Sequence, residues 1–253
     1  VRYAAKVAYD GSRFSGWQKQ PGVTGETIQE HLERALLVLN KQDTKVVAAG
    51  RTDRGVHALG QVISFDTTSR WDPQKLRNAL DANLPASIGI MAVAEVPEDF
   101  SARRSALWRE YVYFAWKRHG CPPHIAPYVW RNAVPWDRDL LREMCSILKG
   151  RQNFSAFCRK ADLPDNAERT ILSSGVAGKG PLLRIRIRGE SFLTNMIRII
   201  VGSMDLVASG KRDISWFGSL LSGGERCQAG PTAPACGLFL VKAGYGISLW
   251  NDS

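Results

Sequence analysis

The sequence has no apolar run near the ~20 residues needed to cross a bilayer, and its start is not expected to be a secretory signal. Its five cysteines are Cys121, Cys145, Cys158, Cys227 and Cys236, an odd number with no pair at Cys-x-x-Cys spacing. That pattern does not suit a disulfide framework, so they read as reduced thiols in a cytoplasmic protein. A Walker loop, the glycine pattern of a dinucleotide fold and regularly spaced metal ligands are all missing. His119, Cys121 and His124 come nearest to a metal cluster. They lack a fourth ligand nearby and lie among Pro122, Pro123 and Pro127, which marks a loop.

What is present is an ordinary globular composition, 44% hydrophobic and 23% charged over 253 residues. That length holds one large domain or two modest ones. Lys and Arg number 34 against 24 Asp and Glu, a formal net charge of +10. Clustered cations gain affinity for polyanions by displacing counterions, so the balance points toward nucleic acid. A solvated basic surface without a partner is the alternative.

One pattern of elements is used twice. Tyr3 to Tyr9 alternates as a strand does. Thr27 opens a helix, with Glu30 completing a capping box and Ile28, Leu32, Ala35, Leu36 and Leu39 at helical spacing. Val46 to Ala49 and Gln61 to Asp66 read as strands around a glycine-bearing loop. Asp72 and Pro73 start a second helix that Pro85 stops, and Ile88 to Val96 is a further strand. In the second half, Trp108 to Lys117 reads as a strand, and Asp137 caps a helix that ends before Gly150. Thr170 to Val176 and Leu182 to Arg188 are strands, Ser191 to Ser209 a long helix, and Gly237 to Ala243 the last strand. The expected class is α+β, with two ferredoxin-like or RRM-like β-α-β-β-α-β halves and mixed, mainly antiparallel sheets flanked by helices. The boundary is expected near Ala106, giving 1–106 and 107–253. No Ser/Gly-rich or Pro-rich linker marks it, so the halves are expected to pack tightly.

Four segments could carry chemistry. In Leu182 to Arg188, Arg184, Arg186 and Arg188 share one strand face, either an RNA-binding face or a solvated one. In Ala49 to Val62, Gly50 and Gly55 bracket Arg51-Thr52-Asp53-Arg54, and the two arginines favour an ionised Asp53. A turn carboxylate with local ion pairs is the bland reading. A carboxylate on a face meant for phosphates costs affinity, which points to work on the nucleoside. Tyr111 and Tyr113 share a face of their strand, either stacking on bases or filling the core. On the long helix, Phe192, Leu193, Met196, Ile197, Ile200 and Met204 form an apolar stripe, with Arg198 on the other side near Asn195. Arg198 is either a solvated surface residue or a partner for Asp53.

These segments resemble the TruA family of tRNA pseudouridine synthases over nearly the whole chain. The likeness is carried by Y-D-G-S-R-F-S-G-W-Q (Tyr9 to Gln18), T-I-Q (Thr27 to Gln29), G-R-T-D-R-G-V-H-A (Gly50 to Ala58), and S-A-R-R-S-A with R-E-Y-V-Y (Ser101 to Tyr113). F-S-A-F (Phe154 to Phe157), G-E-S-F-L-T-N-M-I-R (Gly189 to Arg198) and T-A-P-A-C-G-L (Thr232 to Leu238) follow in the family's order. The resemblance implies that Asp53 is the catalytic aspartate and Arg198 its basic partner. It implies that Tyr111 packs on the target base and Arg51 helps hold the flipped nucleotide. Arg54 departs from the small residue usual in bacterial relatives and, with Arg184 and Arg186, is expected to meet RNA. Two halves with a basic cleft between them, a homodimer and a tRNA substrate are likewise implied.

The implied reaction turns uridine into pseudouridine on the 3′ side of the anticodon stem-loop (positions 38–40). It is an isomerisation that needs no metal or cofactor. The base must leave its stack, after which Asp53 either attacks the sugar carbon or removes the C2′ proton. Tyr111 is the candidate to receive the C5 proton. The alternatives are a synthase with broader RNA targets and a non-catalytic RNA binder with two RRM-like halves. Against the binder, neither half carries the RNP1 pattern.

Overall fold

The structure is a computed structural model that describes residues 1–18 and 24–250. The chain forms two compact units, one of residues 1–109 with 239–253 and one of residues 110–238.

The first unit opens with β1 (Arg2–Tyr9), whose residues Tyr3, Ala5, Val7 and Tyr9 share one buried face. Helix α1 (Ile28–Asn40) begins at Thr27 as its sequence dictates. The Glu30 N–H donates to the Thr27 hydroxyl, and the Glu30 carboxylate accepts the Thr27 N–H at 2.8 Å. That box satisfies two donors left open at a helix start. Strand β2 is shorter than expected (Val47–Ala48), whereas β3 is longer (His57–Asp66), because pairing with β1 carries the strand back to Ala58. Helix α2 (Pro73–Asp81) ends before Pro85, since residues 82–85 are used in the turn into β4 (Ile88–Glu95). Strands β4, β1, β3 and β2 lie in that order, and every pair is antiparallel. This is the ferredoxin-like arrangement. β3 has two neighbours on its outer edge. β2 pairs with Ser64 and Ile63, while β10 (Leu238–Tyr245) runs parallel at His57 and Ala58. The other sheet face is closed by a core of Ala4, Val62, Phe100, Ala102 and Ala243, with Tyr245 and Trp250 packed on it.

Strand β5 (Ala106–Trp116) carries the chain into the second unit. There β6 (Trp130–Arg131) adds parallel to β5, and α3 (Arg138–Ile147) starts at Asp137, whose carboxylate accepts two backbone N–H groups. The strands β7 (Gly150–Asn153), β8 (Glu168–Lys179) and β9 (Leu182–Gly189) follow, in the order β5-β9-β8-β7. The helix expected from Ser191 instead starts at Met196, as α4 (Met196–Ala208). Asn195 sits at φ +60°, a left-handed backbone that no α-helix can pass through, so Phe192 and Leu193 lie outside the helix. α4 is also buried nearly all round rather than along one stripe, and a short α5 (Ile214–Ser219) follows it. The α+β class holds, with mainly antiparallel pairing and flanking helices. Among the described residues no helix is long and apolar enough to cross a membrane, and no group of His, Cys, Asp and Glu could hold a metal ion.

The second unit buries one cation. The Lys117 ammonium lies 3.9 Å from the centre of the Trp136 ring and 3.8 Å from Asp205. Asp205 also accepts from the Trp136 indole at 2.6 Å and from Asn132 at 2.8 Å. Loss of hydration pushes Lys117 down to about 8, although Asp205 pulls the other way. Between that value and the ordinary 10.5 the unfolded chain binds more protons than the folded one. The penalty is therefore complete below about 8 and fades as pH rises toward 10.5. Lys117→Met should gain stability over the parent below pH 8, with the gain shrinking toward pH 10.5. Denaturant melts across that window measure the difference. A gain independent of pH would mean that the parent ammonium carries no such penalty.

Candidate active site

The loop from Ala49 to Val56 joins β2 to β3, and its conformation is imposed by neighbours in the same unit. Its residues alternate in exposure. Arg51 and Arg54 face solvent, Asp53 is half-buried, and Thr52 points inward with 6% of its surface exposed. The Thr52 hydroxyl lies 2.8 Å from the Tyr9 hydroxyl, a buried contact in which either oxygen can donate. Gln61 spans the base of the loop. Its amide donates to the Gly50 carbonyl at 2.6 Å, and its side-chain oxygen accepts the Gly50 N–H at 3.4 Å. Burial pushes the Tyr9 phenol up to about 12, and its bonds to Thr52 and Gln61 oppose this only in part. Tyr9 is therefore a neutral brace at working pH and not a base.

The segment after β1 forms the second support. The Trp17 N–H donates to the Thr52 carbonyl at 3.0 Å, and the Gly11 N–H donates to His57 Nδ1 at 3.2 Å. Gly11 passes so close that a Cβ there would lie 1.9 Å from the Val56 carbonyl oxygen. Of the two bracketing glycines, Gly55 is the one that uses its freedom, at φ +79°. Gly50 serves instead through its two bonds to Gln61. The loop closes on itself where the Val56 N–H donates to the Asp53 carbonyl at 3.1 Å. On the entry side, buried Arg109 donates from Nε to the Ala49 carbonyl at 2.9 Å. The R-E-Y segment thus fastens the strand that leads into the loop. His57, at the far end, is stacked on Phe239 with ring centres 4.6 Å apart.

The second unit holds Tyr111, Arg184, Arg186 and Arg198. Tyr111 is 8% exposed and meets Phe192 edge to face at 5.2 Å. Tyr113, on the same strand face, is a core residue whose hydroxyl donates to the Pro234 carbonyl at 2.8 Å. Burial pushes its phenol upward, and the charge of nearby Arg198 opposes that only in part. Arg184 and Arg186 are exposed on β9, opposite the small Ala177 and Gly175 of β8. The expected row of three arginines is a row of two. Arg188 is neutralised by Glu110, with Nη2 2.7 Å from the carboxylate. Arg198 lies on the first turn of α4, its Nε donating to the Ala233 carbonyl and Nη1 to the Asn195 side chain, both at 2.8 Å.

Asp53, Arg51 and Arg54 therefore belong to one unit, and Tyr111, Arg184, Arg186 and Arg198 to the other. Sequence reasoning missed the supporting shell of Tyr9, Gly11, Trp17 and Gln61. Its only signal was that Tyr9, Gly11 and Trp17 lie in the Tyr9 to Gln18 motif and Gln61 in the Ala49 to Val62 segment.

A sequence profile described as tRNA pseudouridine synthase matches residues 5–103 and 144–246. The chain belongs to the tRNA pseudouridine synthase family. As a member it is an isomerase. It is 39% identical to the tRNA pseudouridine synthase A of Geobacillus kaustophilus, over 94% of this chain and 92% of that protein. The protein of that name from Stenotrophomonas maltophilia is 39% identical over 97% and 95%, and that from Dinoroseobacter shibae 37% over 96% of each. A solved chain described as belonging to a Cbf5-Nop10-Gar1 complex overlaps 95% of this chain and 58% of its own length. Its identity of 11% and TM-score of 0.36 are too low to carry an inference.

The braces make a direct test. Gly11→Ala should push the Val56 carbonyl and disturb Asp53. We expect turnover to fall by about 10- to 100-fold, as small misplacements of reacting groups do, with tRNA binding little changed. Single-turnover kinetics and filter binding separate the two. Parent-like turnover would show that the loop holds its shape without this contact.

Proposed function

We infer that this chain converts uridine to pseudouridine in the anticodon stem-loop of tRNA, with the Asp53 carboxylate as its catalyst. The observation that carries this reading is a half-buried carboxylate on a rigidly braced loop, flanked by two solvent-facing arginines. A structural turn carboxylate needs no such support. A reacting one does, because a covalent or proton-transfer step depends on aim. Arg51 and Arg54 are suited to draw the phosphates of a flipped nucleotide toward the loop.

In the reaction the bond from C1′ to N1 breaks, the uracil turns, and C5 bonds to C1′. N1 gains a proton and C5 loses one, so no electrons enter or leave. Asp53 serves either as a nucleophile on C1′ or as the base that takes the C2′ proton. Arg198 and Tyr111, from the other unit, are assigned to orient the carboxylate and to pack on the base. Tyr111 is also the acceptor of the C5 proton, directly or through water. Arg184 and Arg186 provide phosphate contacts on β9. On this reading the first unit supplies the catalytic loop and the second completes the site, in a cytoplasmic homodimer.

Tritium release from C5-labelled uridine in unmodified tRNA tests the central claim. The parent should release label and Asp53→Asn should not, while both bind tRNA. Release by Asp53→Asn at the parent rate would remove the carboxylate from the mechanism. Absence of release by both, with binding intact, would favour a non-catalytic RNA binder. Replacing Arg184 and Arg186 together by Gln should flatten the salt dependence of binding by about one to two units of log-log slope. An unchanged slope would mean that neither side chain meets phosphate.

A further inference from the structure

Among the described residues two non-glycine residues take a left-handed backbone, Lys41 and Asn195. Lys41 is the C-cap of α1, an ordinary place for that conformation. Asn195 lies at the opposite kind of position, the N-terminus of α4, where the capping residue is normally extended. Its side chain makes none of the hydrogen bonds for which asparagine is favoured there. Its oxygen accepts instead from Arg198 Nη1 at 2.8 Å.

Arg198 is held from a second side. Its Nε donates to the Ala233 carbonyl at 2.8 Å, and the Ala233 N–H donates to the Arg198 carbonyl at 3.0 Å. The same loop is tied to α4 again where the Gly230 N–H donates to the Ser203 hydroxyl at 2.9 Å. A guanidinium is planar, so acceptors at Nε and Nη1 fix both its position and its rotation. Glycine meets the backbone demand at Asn195 with less strain than any other residue. A position that needed only the turn would be served by glycine. What asparagine adds is the oxygen.

We propose that Asn195 is a positioning residue for the isomerisation, acting through Arg198 by holding the guanidinium plane in its working orientation. This rests on the reading of Arg198 as the partner of the catalytic carboxylate. A side chain ordered before the reaction loses no rotamer freedom during it, so the effect falls on turnover and not on tRNA affinity.

Three full-chain variants test this with unmodified C5-labelled tRNA: Asn195→Gly, Arg198→Lys and the two combined. Asn195→Gly should melt at or above the parent temperature, because glycine suits the backbone. Its kcat should fall by about 10-fold, with KM within about twofold of the parent. Arg198→Lys should lose at least as much. The double variant should be no slower than Arg198→Lys alone, since residues acting through one group are non-additive. Parent-like turnover by Asn195→Gly, with Arg198→Lys impaired, overturns this inference and leaves the role of Arg198 standing. Parent-like turnover by Arg198→Lys removes that role and this inference with it. A loss in Asn195→Gly that only tracks a lowered melting temperature, or losses that multiply in the double variant, also overturns it.

Discussion

The approach of Gly11 to the Val56 carbonyl is the constraint on which the first unit turns. It leaves no room for a side chain, and it brings the segment after β1 against the back of the loop that carries Asp53. The other bonds depend on that closeness. Trp17 reaches the Thr52 carbonyl, Gly11 reaches His57, and the Tyr9 hydroxyl meets Thr52. Together they fix Thr52 inward, which leaves Arg51 and Arg54 outward. A loop with two arginines and a carboxylate within four residues would otherwise sample many local ion pairs. Here neutral contacts brace the backbone of the loop.

The second unit solves a related problem by different means. There Arg198 donates to two neutral oxygens, the Ala233 carbonyl and the Asn195 side chain. Neutral acceptors orient a guanidinium without cancelling its charge. Arg188, in the same unit, pairs with the Glu110 carboxylate.

Much of the fold was legible because local rules agreed with the final packing. The capping box at Thr27, the Asp72-Pro73 start of α2 and the Asp137 cap of α3 all stand where the sequence placed them. The misses have physical causes. Apolar periodicity from Phe192 onward suggested helix, but the left-handed backbone of Asn195 is a tertiary choice that composition does not reveal. β3 reaches back to Ala58 through pairing with β1 and to His57 through pairing with β10, which no local pattern encodes. Of the candidate site, Asp53, Arg51 and Arg54 could be read from one short motif. Most of the supports could not, because Tyr9 and Trp17 are distant in sequence from the loop they brace, and nothing in the local pattern marked Gln61 as a brace. The alternation of Tyr111 and Tyr113 put them on one face, and both are buried there. Tyr113 proved to be a core residue bonded to Pro234.

The first unit is discontinuous, since residues 110–238 intervene before Phe239 and Leu240 pair with His57 and Ala58. The stacking of Phe239 on His57 at the end of the loop bearing Asp53 therefore joins residues 182 positions apart (239 − 57). On a ribosome, β1 to β4 emerge long before the strand that seals them. The loop bearing Asp53 thus stays incompletely supported until almost all of the chain has been made. A chain truncated before β10 keeps the loop bearing Asp53 but lacks the strand that pairs with its far end at His57 and Ala58.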